Sequence, residues 1–333
     1  MSDAPAIECR GLAKKFRTYS RQEGLWGSIR ALFRREYRDV VALAPFDLDV
    51  RRGEIVGLLG ANGAGKTTCM KMLAGIIVPT AGEARVGGHV PEQRENAFKR
   101  KIALVMGQKA QLWWDLPAID SYRLLKEIYE IPEAEFRARL DQLAQLLQVS
   151  NLLGIQIRRL SLGERMKMEI IACLLHRPEV VLLDEPTIGL DINAQETIRE
   201  FFRQYQRDFG ATILLTSHYM ADVEALCPRV VLLVEGVKRY DGPIRVLADR
   251  LGHKKRLTLR FDRDMDRDND GLFAGLDPEW KSANEVELSI PRERLKELCS
   301  RFLRELPVQD FQTSEVPFEK VVGSIMENPD LLK

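Results

Sequence analysis

The sequence predicts an α/β protein: a parallel sheet with a helical segment inserted into it and a small α+β appendage at its end. Three observations carry this reading. Continuous apolar runs at 54–60 (EIVGLLG), 180–183 (VVLL) and 211–216 (ATILLT) read as strands buried on both faces. Helical periodicity separates the last two: over 192–208, Ile198, Phe201, Phe202 and Tyr205 fall on one side. After Gly242-Pro243 the texture changes, with RLTLRF and EVELSI alternating at period two and RERLKELCSRFLREL forming an amphipathic helix. Alternating strands and helices require right-handed crossovers between parallel strands.

Bulk properties narrow the class. The 333 residues are 45% hydrophobic and 30% charged, a soluble globular profile with room for a large domain and a smaller one. A net charge of +1 gives no global basic field of the kind a dedicated nucleic-acid binder carries. Cys9, Cys69, Cys173, Cys227 and Cys299 are odd in number and form no CxxC pair. That argues against a disulfide framework or a zinc site and fits a reducing compartment. The start, MSDAPAIECRGL, has no apolar core behind a charged region, so no signal peptide is expected. No apolar run approaches the roughly 18 residues that a membrane span needs.

In chain order, the first strand is expected to end at Phe16, and 17–38 reads as an insertion. Within it GLWGSIRALFRREY places Leu25, Trp26, Ile29, Leu32 and Phe33 on one helical face, with Arg30, Arg34 and Arg35 elsewhere. Residues 14–38 hold eight basic residues against two acidic, a net +6. Such a basic amphipathic helix suits an anionic lipid surface or a membrane partner. A helix packed on its own domain with a solvated basic face is the plainer alternative.

Strand 54–60 runs into GANGAGKT and then into the helical pattern CMKMLAGI. Gly60, Ala61, Asn62, Gly63, Ala64, Gly65, Lys66 and Thr67 match the full P-loop pattern, and Thr68 follows. Backbone N–H groups and a helix N-terminus can cradle a triphosphate there, with Lys66 as a point charge and the Thr67 hydroxyl on Mg²⁺. The sheet is therefore expected to be that of a P-loop NTPase. VVLLDE supplies a second acidic half: Asp184 leaves a buried strand where a carboxylate needs a cation, and Glu185 can polarise a water. Gln108 follows KIALVMG and His218 follows ATILLTS, each just past a strand that would end beside the P-loop. A lone glutamine or histidine would ordinarily be surface or structural; the shared placement is what singles these two out.

Residues 112–165 carry helical periodicity alone (Leu124, Leu125, Ile128; then Phe136, Leu140, Leu143, Leu147), broken at Pro117 and Pro132. At its start QLWWDLP sets Trp113 beside Trp114, which cannot both face inward on a regular element. At its end RRLSLGERMKME reads as a helix start: Ser161 as N-cap, Glu164 three residues on as in a capping box, and Gly163 where a backbone must come close to something. The expected organisation is 1–245 for the sheet domain, with helices at 112–165 and the insertion at 17–38, then 254–333 for the α+β domain.

GANGAGKT, Gln108, LSLGE, LLDEP, TIGLD and SH, in this order, resemble the nucleotide-binding subunits of ATP-binding cassette (ABC) transporters over residues 7 to 245. The resemblance implies an ATPase binding ATP and Mg²⁺, the metal held by Thr67, Asp184 and Gln108. It implies a head-to-tail dimer with a second copy or a homologous ATPase subunit, two ATP molecules lying at the interface. Ser161 and Gly163 would then face the triphosphate bound by the other subunit. Catalytic roles fall on Glu185, His218, Gln108 and Lys66, while TIGLD resembles the loop contacting the opposite subunit, with Asp191 capping the next helix. Adenine would stack on Phe16, by family position, or on Tyr37, by spacing to the following strand. The family's usual signature has two glycines and then glutamine; here Leu162, Gly163 and Glu164 stand instead. A carboxylate at 164 is unfavourable near a triphosphate unless it folds back on the cap.

In the family the QLWWDLP segment lies beneath integral membrane permease subunits, and insertions like 17–38 occur in ATPases of polysaccharide-exporting systems. The whole chain looks most like bacterial exporter ATPases for hydrophobic or cationic compounds such as viologens, bound through the permease at the cytoplasmic face of the inner membrane. A soluble ABC ATPase acting on nucleic acid is the alternative from another class; one P-loop and no sustained heptad weigh against it. An importer ATPase is a further alternative, against which the appendage stands.

Overall fold

Buried apolar strands need both faces covered, and the chain arranges them accordingly. The computed structural model describes residues 4–19, 37–107, 109–217, 219–251, 254–265, 273, 275–276, 278–315 and 318–327. The chain divides into two units, Met1–Gly242 and Pro243–Lys333. In the first, strands β3 (Ile55–Leu59), β5 (Ile102–Met106), β6 (Val180–Asp184), β7 (Thr212–Thr216), β8 (Arg229–Val234) and β9 (Val237–Pro243) form a six-stranded sheet in the order β5-β6-β7-β3-β8-β9. The β5–β6, β6–β7, β7–β3 and β3–β8 pairs are parallel. All five residues of β3 and of β7 are buried, the two threonines at the ends of β7 included. Strand β9 turns back from β8 through Glu235 and Gly236, both at positive φ (50° and 78°), the geometry of a two-residue hairpin.

A second, antiparallel sheet holds β1 (Ile7–Tyr19), β2 (Tyr37–Val50) and β4 (Ala81–Val86) in the order β2-β1-β4. Helix α1 (Lys66–Leu73) shares one core with both sheets: its Cys69, Met70, Met72 and Leu73 pack with Ile7, Leu12, Leu43 and Leu48 on one side and Val180, Leu214 and Val231 on the other. The P-loop helix is thereby fixed by apolar contacts on two sides. Phe16 does not end its strand. The ladder continues through Phe16↔Val40, Arg17↔Asp39, Thr18↔Arg38 and Tyr19↔Tyr37, so the insertion begins later and ends earlier than 17–38. β-branched and aromatic residues on both arms (Phe16, Thr18, Tyr19, Tyr37, Val40, Val41) favour this extension despite the arginines between them. The basic amphipathic helix expected at 24–37 lies, apart from Tyr37, outside the described residues.

Helix α2 (Asn96–Lys99) precedes β5, and the α-helices α3 (Ala118–Ile128), α4 (Glu133–Leu146) and α5 (Leu162–Leu174) follow it. Pro117 and Pro132 stand at the N-caps of α3 and α4, where a missing N–H costs nothing. Phe136, Leu140, Leu143 and Leu147 are buried as the periodicity requires. Helix α3 buries Ala118, Ser121 and Tyr122, while Leu124 is 43% and Ile128 59% exposed. The Tyr122 hydroxyl, donating to Met168 O at 2.9 Å, sets the rotation of α3 and turns the Leu124–Ile128 stripe outward.

Helix α6 (Ile192–Phe209) buries Ile198, Phe201, Phe202 and Tyr205 and ends at Gly210; α7 (Met220–Leu226) precedes β8. Helix α5 starts against α6 at one close point. A Cβ on Gly163 would lie 2.8 Å from the Ala194 Cβ.

The second unit has α8 (Ile244–Leu251), β10 (Lys254–Phe261), β11 (Glu279–Ser282), β12 (Glu285–Pro291), α9 (Arg292–Glu305), β13 (Val308–Glu315) and α10 (Phe318–Glu327), with an antiparallel sheet β11-β12-β10-β13. Leu257, Leu259 and Phe261 alternate with Val286, Leu288 and Ile290 onto one face, where Leu298 and Phe302 of α9 cover them. Glu287, on the opposite pleat of β12, is buried and ion-paired with Arg256 and Lys320. All five cysteines are free thiols, Cys299 being the partly exposed one. Burial alone pushes the Cys69 thiol up to about 12.

The α5–α6 contact makes a prediction. Gly163→Ala should lower stability by roughly 1–3 kcal/mol through overpacking. Because the clash is with a single methyl, the Gly163→Ala, Ala194→Gly double variant should be no less stable than Ala194→Gly alone. Urea denaturation midpoints of the three proteins check this.

Candidate nucleotide site

The parallel strands deliver their C-terminal ends to one edge, and the 60–68 loop and helix start, Asp184 and Glu185 meet there. Strand β3 ends at Leu59, and the loop 60–65 turns at once into α1. Two of its glycines are dictated by contact. A Cβ on Gly60 would stand 2.5 Å from Leu233 O of β8, and one on Gly65 (φ 98°) would stand 2.4 Å from Ala42 O of β2. Gly63, at φ 82°, faces open space instead. The loop is thus clamped at both ends and open at its middle, with Ala61 and Asn62 exposed, Ala64 buried and its N–H donated to Ala61 O at 3.1 Å.

Lys66 is 5% exposed, and its ammonium is folded back on the loop, donating to Gly60 O at 2.7 Å and Ala61 O at 3.0 Å. Burial holds its pKa below the ordinary lysine value, while the carboxylates of Glu185 and Asp184 pull the other way. A buried cation satisfied only by carbonyl oxygens is a ready partner for an anion. Thr67 and Thr68 are half-buried on the first turn of α1.

Asp184, the last residue of β6, accepts hydroxyl hydrogen bonds at one oxygen, Oδ1, from Thr67 of α1 (3.2 Å) and Thr216 of β7 (2.7 Å). Glu185 follows in the left-handed region (φ 55°), which a side chain with a Cβ rarely adopts, and its N–H donates to Thr216 O at 3.0 Å. Gly107 at the exit of β5 lies flush on this turn: its N–H donates to Asp184 O at 2.9 Å, and a Cβ there would overlap Glu185 O at 1.9 Å. Gln108 and His218 themselves lie outside the described residues. Their neighbours, Gly107 and Ser217, stand at this edge.

Ser161 caps α5 with a full capping box. Its Oγ accepts Glu164 N–H at 3.3 Å and its N–H donates to Glu164 Oε2 at 2.8 Å. Glu164 therefore folds back on the cap, while Leu162 is exposed against Gly189. Asp191 caps α6, accepting Ala194 N–H at 2.9 Å. What comes close to Gly163 inside the subunit is Ala194, a packing reason for glycine that the sequence pattern did not distinguish from ligand approach. Phe16 is 37% exposed, with the Lys14 ammonium 5.3 Å from its ring centroid. The backbone of Tyr37 pairs with Tyr19, and its side chain is outside the described set.

The tryptophan pair does not face inward. Trp113 and Trp114 are 48% and 49% exposed, so neither is core. Leu112 takes the inward place, and the backbone is held by Glu169 of α5, whose carboxylate accepts Gln111 N–H (3.0 Å) and Leu112 N–H (3.1 Å). Burial raises the Glu169 pKa, and these two N–H groups oppose the rise. Trp114 in turn lies under the Arg165 guanidinium, 4.5 Å from its centroid.

Sequence reasoning passed over Thr216, Glu169 and Asp222, each buried and polar. Thr216 carried a signal, being a hydroxyl at the end of a buried apolar strand.

Comparison with known proteins places this arrangement. The model of the ABC transporter family matches residues 43–188, and a model described as the EvrA-like ABC transporter, C-terminal domain, matches 253–314. ABC transporter ATP-binding protein NatA of Bacillus subtilis is 33% identical over 215 residues, 65% of this chain and 87% of NatA. Nod factor export ATP-binding protein I of Cupriavidus pinatubonensis is 34% identical over 216 residues, 65% of this chain and 66% of that protein. The solved structure of an ATP-binding subunit of an ABC transporter superposes with a TM-score of 0.61 at 26% identity, covering 74% of this chain and 93% of that one. With its clamped loop, buried lysine and acidic strand end, the chain belongs to the ATP-binding proteins of ABC transporters and is an ATPase.

Proposed function

We propose that the chain is the ATP-hydrolysing subunit of an ABC exporter, pairing head to tail with a second copy or a homologous subunit and driving separate integral membrane permease subunits. The observation that carries the catalytic part is the cluster at the sheet edge. Asp184 gathers the Thr67 and Thr216 hydroxyls, and Glu185 leaves the strand beside it with its own backbone pinned to β7.

That cluster fits Mg²⁺. The ion takes oxygen ligands, and the Thr67 hydroxyl and Asp184 carboxylate are oxygen donors already 3.2 Å apart. Thr67, Asp184 and Gln108 would hold it, and once bound it would offset phosphate charge. Residues 60–68 contribute backbone N–H groups and a helix N-terminus to the triphosphate. Lys66 exchanges its carbonyl partners for phosphate oxygens, which relieves the cost of its burial. Glu185 polarises the attacking water, and His218 and Gln108 complete the γ-phosphate end. Ser161, Gly163 and Asp191 serve the nucleotide of the opposite subunit, where a helix N-terminus attracts negative charge. Phe16, with its exposed ring, supports adenine stacking; Tyr37 is the other candidate.

Export is supported by the Nod factor export relative. Among the described residues no helix is long and apolar enough to cross a membrane, so the permease provides the membrane anchor at the cytoplasmic face of the inner membrane. Trp113, Trp114 and Leu116 are exposed apolar residues within the stretch expected beneath it. The basic insertion adds contact with the permease or an anionic lipid surface.

Three outcomes follow. Glu185→Gln should abolish hydrolysis yet keep ATP-dependent thermal stabilisation, whereas Lys66→Ala should lose the stabilisation itself; turnover and melting curves with ATP separate them. Replacing both Trp113 and Trp114 with alanine should cost the isolated subunit no more than about 1 kcal/mol, since the Arg165–Trp114 stack is exposed. Permease-stimulated ATPase should nevertheless fall. Neutralising Arg30, Arg34 and Arg35 should leave ATP binding unchanged and lower transport-coupled ATPase in anionic vesicles, each charge near such a surface contributing about 1 kcal/mol.

A further inference from the structure

A carboxylate that the nucleotide chemistry does not use lies one layer behind it. Asp222, on α7, is 1% exposed and has three side-chain donors. Arg199 Nε of α6 donates to Oδ1 at 2.6 Å, and the Ser217 hydroxyl donates to Oδ2 at 2.7 Å. The Thr187 hydroxyl donates to the same Oδ2. Arg199 is braced by Gln195 Oε1 at 2.9 Å, and Gln195 Nε2 donates to Leu190 O at 3.1 Å. Ser217 Oγ also accepts Tyr219 N–H at 3.0 Å.

The partners of this carboxylate bracket the chemistry. Thr187 is two residues after Glu185, and Leu190 closes the same loop. Ser217 is one residue after Thr216, the residue that holds both Asp184 Oδ1 and the Glu185 N–H. Glu185 sits at φ 55°, a backbone conformation that a non-glycine residue keeps only when its surroundings over-determine it. Its N-terminal side is fixed by β6 and its N–H by Thr216. Its C-terminal side runs through Pro186, with a locked φ, into Thr187. The Thr187 hydroxyl on Asp222 closes the clamp.

We infer that Asp222 is a positioning residue for hydrolysis: through Thr187 and Ser217 it locks the Glu185 turn against the end of β7, with Arg199 neutralising its buried charge. This rests on Glu185 being the carboxylate that polarises water. A carboxylate suits the task because one oxygen receives two hydroxyls while the other holds the guanidinium, which no neutral side chain of that size does.

The test uses the full-length subunit with ATP and Mg²⁺, measuring kcat, KM and ATP-dependent thermal stabilisation. Asp222→Asn and Thr187→Val should lower kcat roughly tenfold to a hundredfold, the scale of a small misplacement of a catalytic group, with KM unchanged. Thr187→Ser, which keeps the hydroxyl, should stay near wild type. In a Glu185→Gln background, neither Asp222→Asn nor Thr187→Val should lower the residual single-turnover rate further, since both act through the missing carboxylate. Removing one member of a buried ion pair is costly, so Asp222→Asn could fail to fold; Thr187→Val, Thr187→Ser and the double variants with Glu185→Gln then decide. Wild-type kcat in Thr187→Val, or an equal further loss in the Glu185→Gln background, overturns the inference. Wild-type turnover in Glu185→Gln alone overturns the assignment of Glu185 instead, whatever the Asp222 variants do.

Discussion

The pair of hydroxyl hydrogen bonds on Asp184 Oδ1 is the contact on which the rest of the site depends. A carboxylate at the end of a buried strand is costly unless it is satisfied. Here satisfaction comes from two directions, Thr67 on the P-loop helix and Thr216 on the neighbouring strand. The strand order makes this possible: β7 lies between β6 and β3, so Thr216 stands next to Asp184 while the helix leaving β3 reaches over with Thr67. One acidic oxygen thereby registers three elements, β6, α1 and β7, at the edge where the 60–65 loop also ends.

Steric exclusion does the remaining alignment. At Gly60, Gly65 and Gly107 a methyl group would strike a backbone carbonyl, of Leu233, Ala42 and Glu185 respectively. These contacts press the loop against β8 and β2 and press Gly107 against the Asp184–Glu185 turn. Glycine here is a spacing device between backbones. Within the 60–65 loop Gly63 differs: a Cβ there would meet nothing within 4 Å. The motif was legible in the sequence because backbone contacts demand glycine at Gly60 and Gly65 and a left-handed φ favours it at Gly63.

Where residue type is set by distant partners, the sequence was silent. Asp222 and Thr187 are 35 positions apart, and Thr67 and Asp184 are 117 apart. No local period reports either pair, so Asp184 was found through its motif while Asp222, which has none, was not. The misreadings have the same origin. Leu124 and Ile128 keep perfect helical spacing, yet the Tyr122 hydroxyl bond sets the rotation of α3 and leaves them outside. Phe16 was expected to end its strand because 17–38 read as an insertion, but the β1–β2 ladder runs on to Tyr19↔Tyr37, a pairing with a distant arm that no local pattern reports. Gly163 was read as a place where something comes close; that something includes Ala194, invisible without the fold.

The stretch from Gly107 to Leu112 joins these threads. At its first residue it is bonded to Asp184 O and packed on Glu185 O; at its last two it is bonded to the buried Glu169 of the signature helix α5. Trp114 extends the second attachment by stacking under Arg165, on the first turn of the same helix. Gly107 and Gln111 are four positions apart, a reach of at most about 14 Å when extended. Two rigid attachments joined by so short a link cannot move far apart independently. A displacement of α5 relative to the sheet edge must be taken up within that link or transmitted to the Asp184–Glu185 turn. Asp184, Glu185 and the helix that Ser161 caps are thus tied through one short link, although a helical segment separates them in sequence. The exposed Trp113 and Trp114 follow directly on Leu112, at the end of the link that is held to α5.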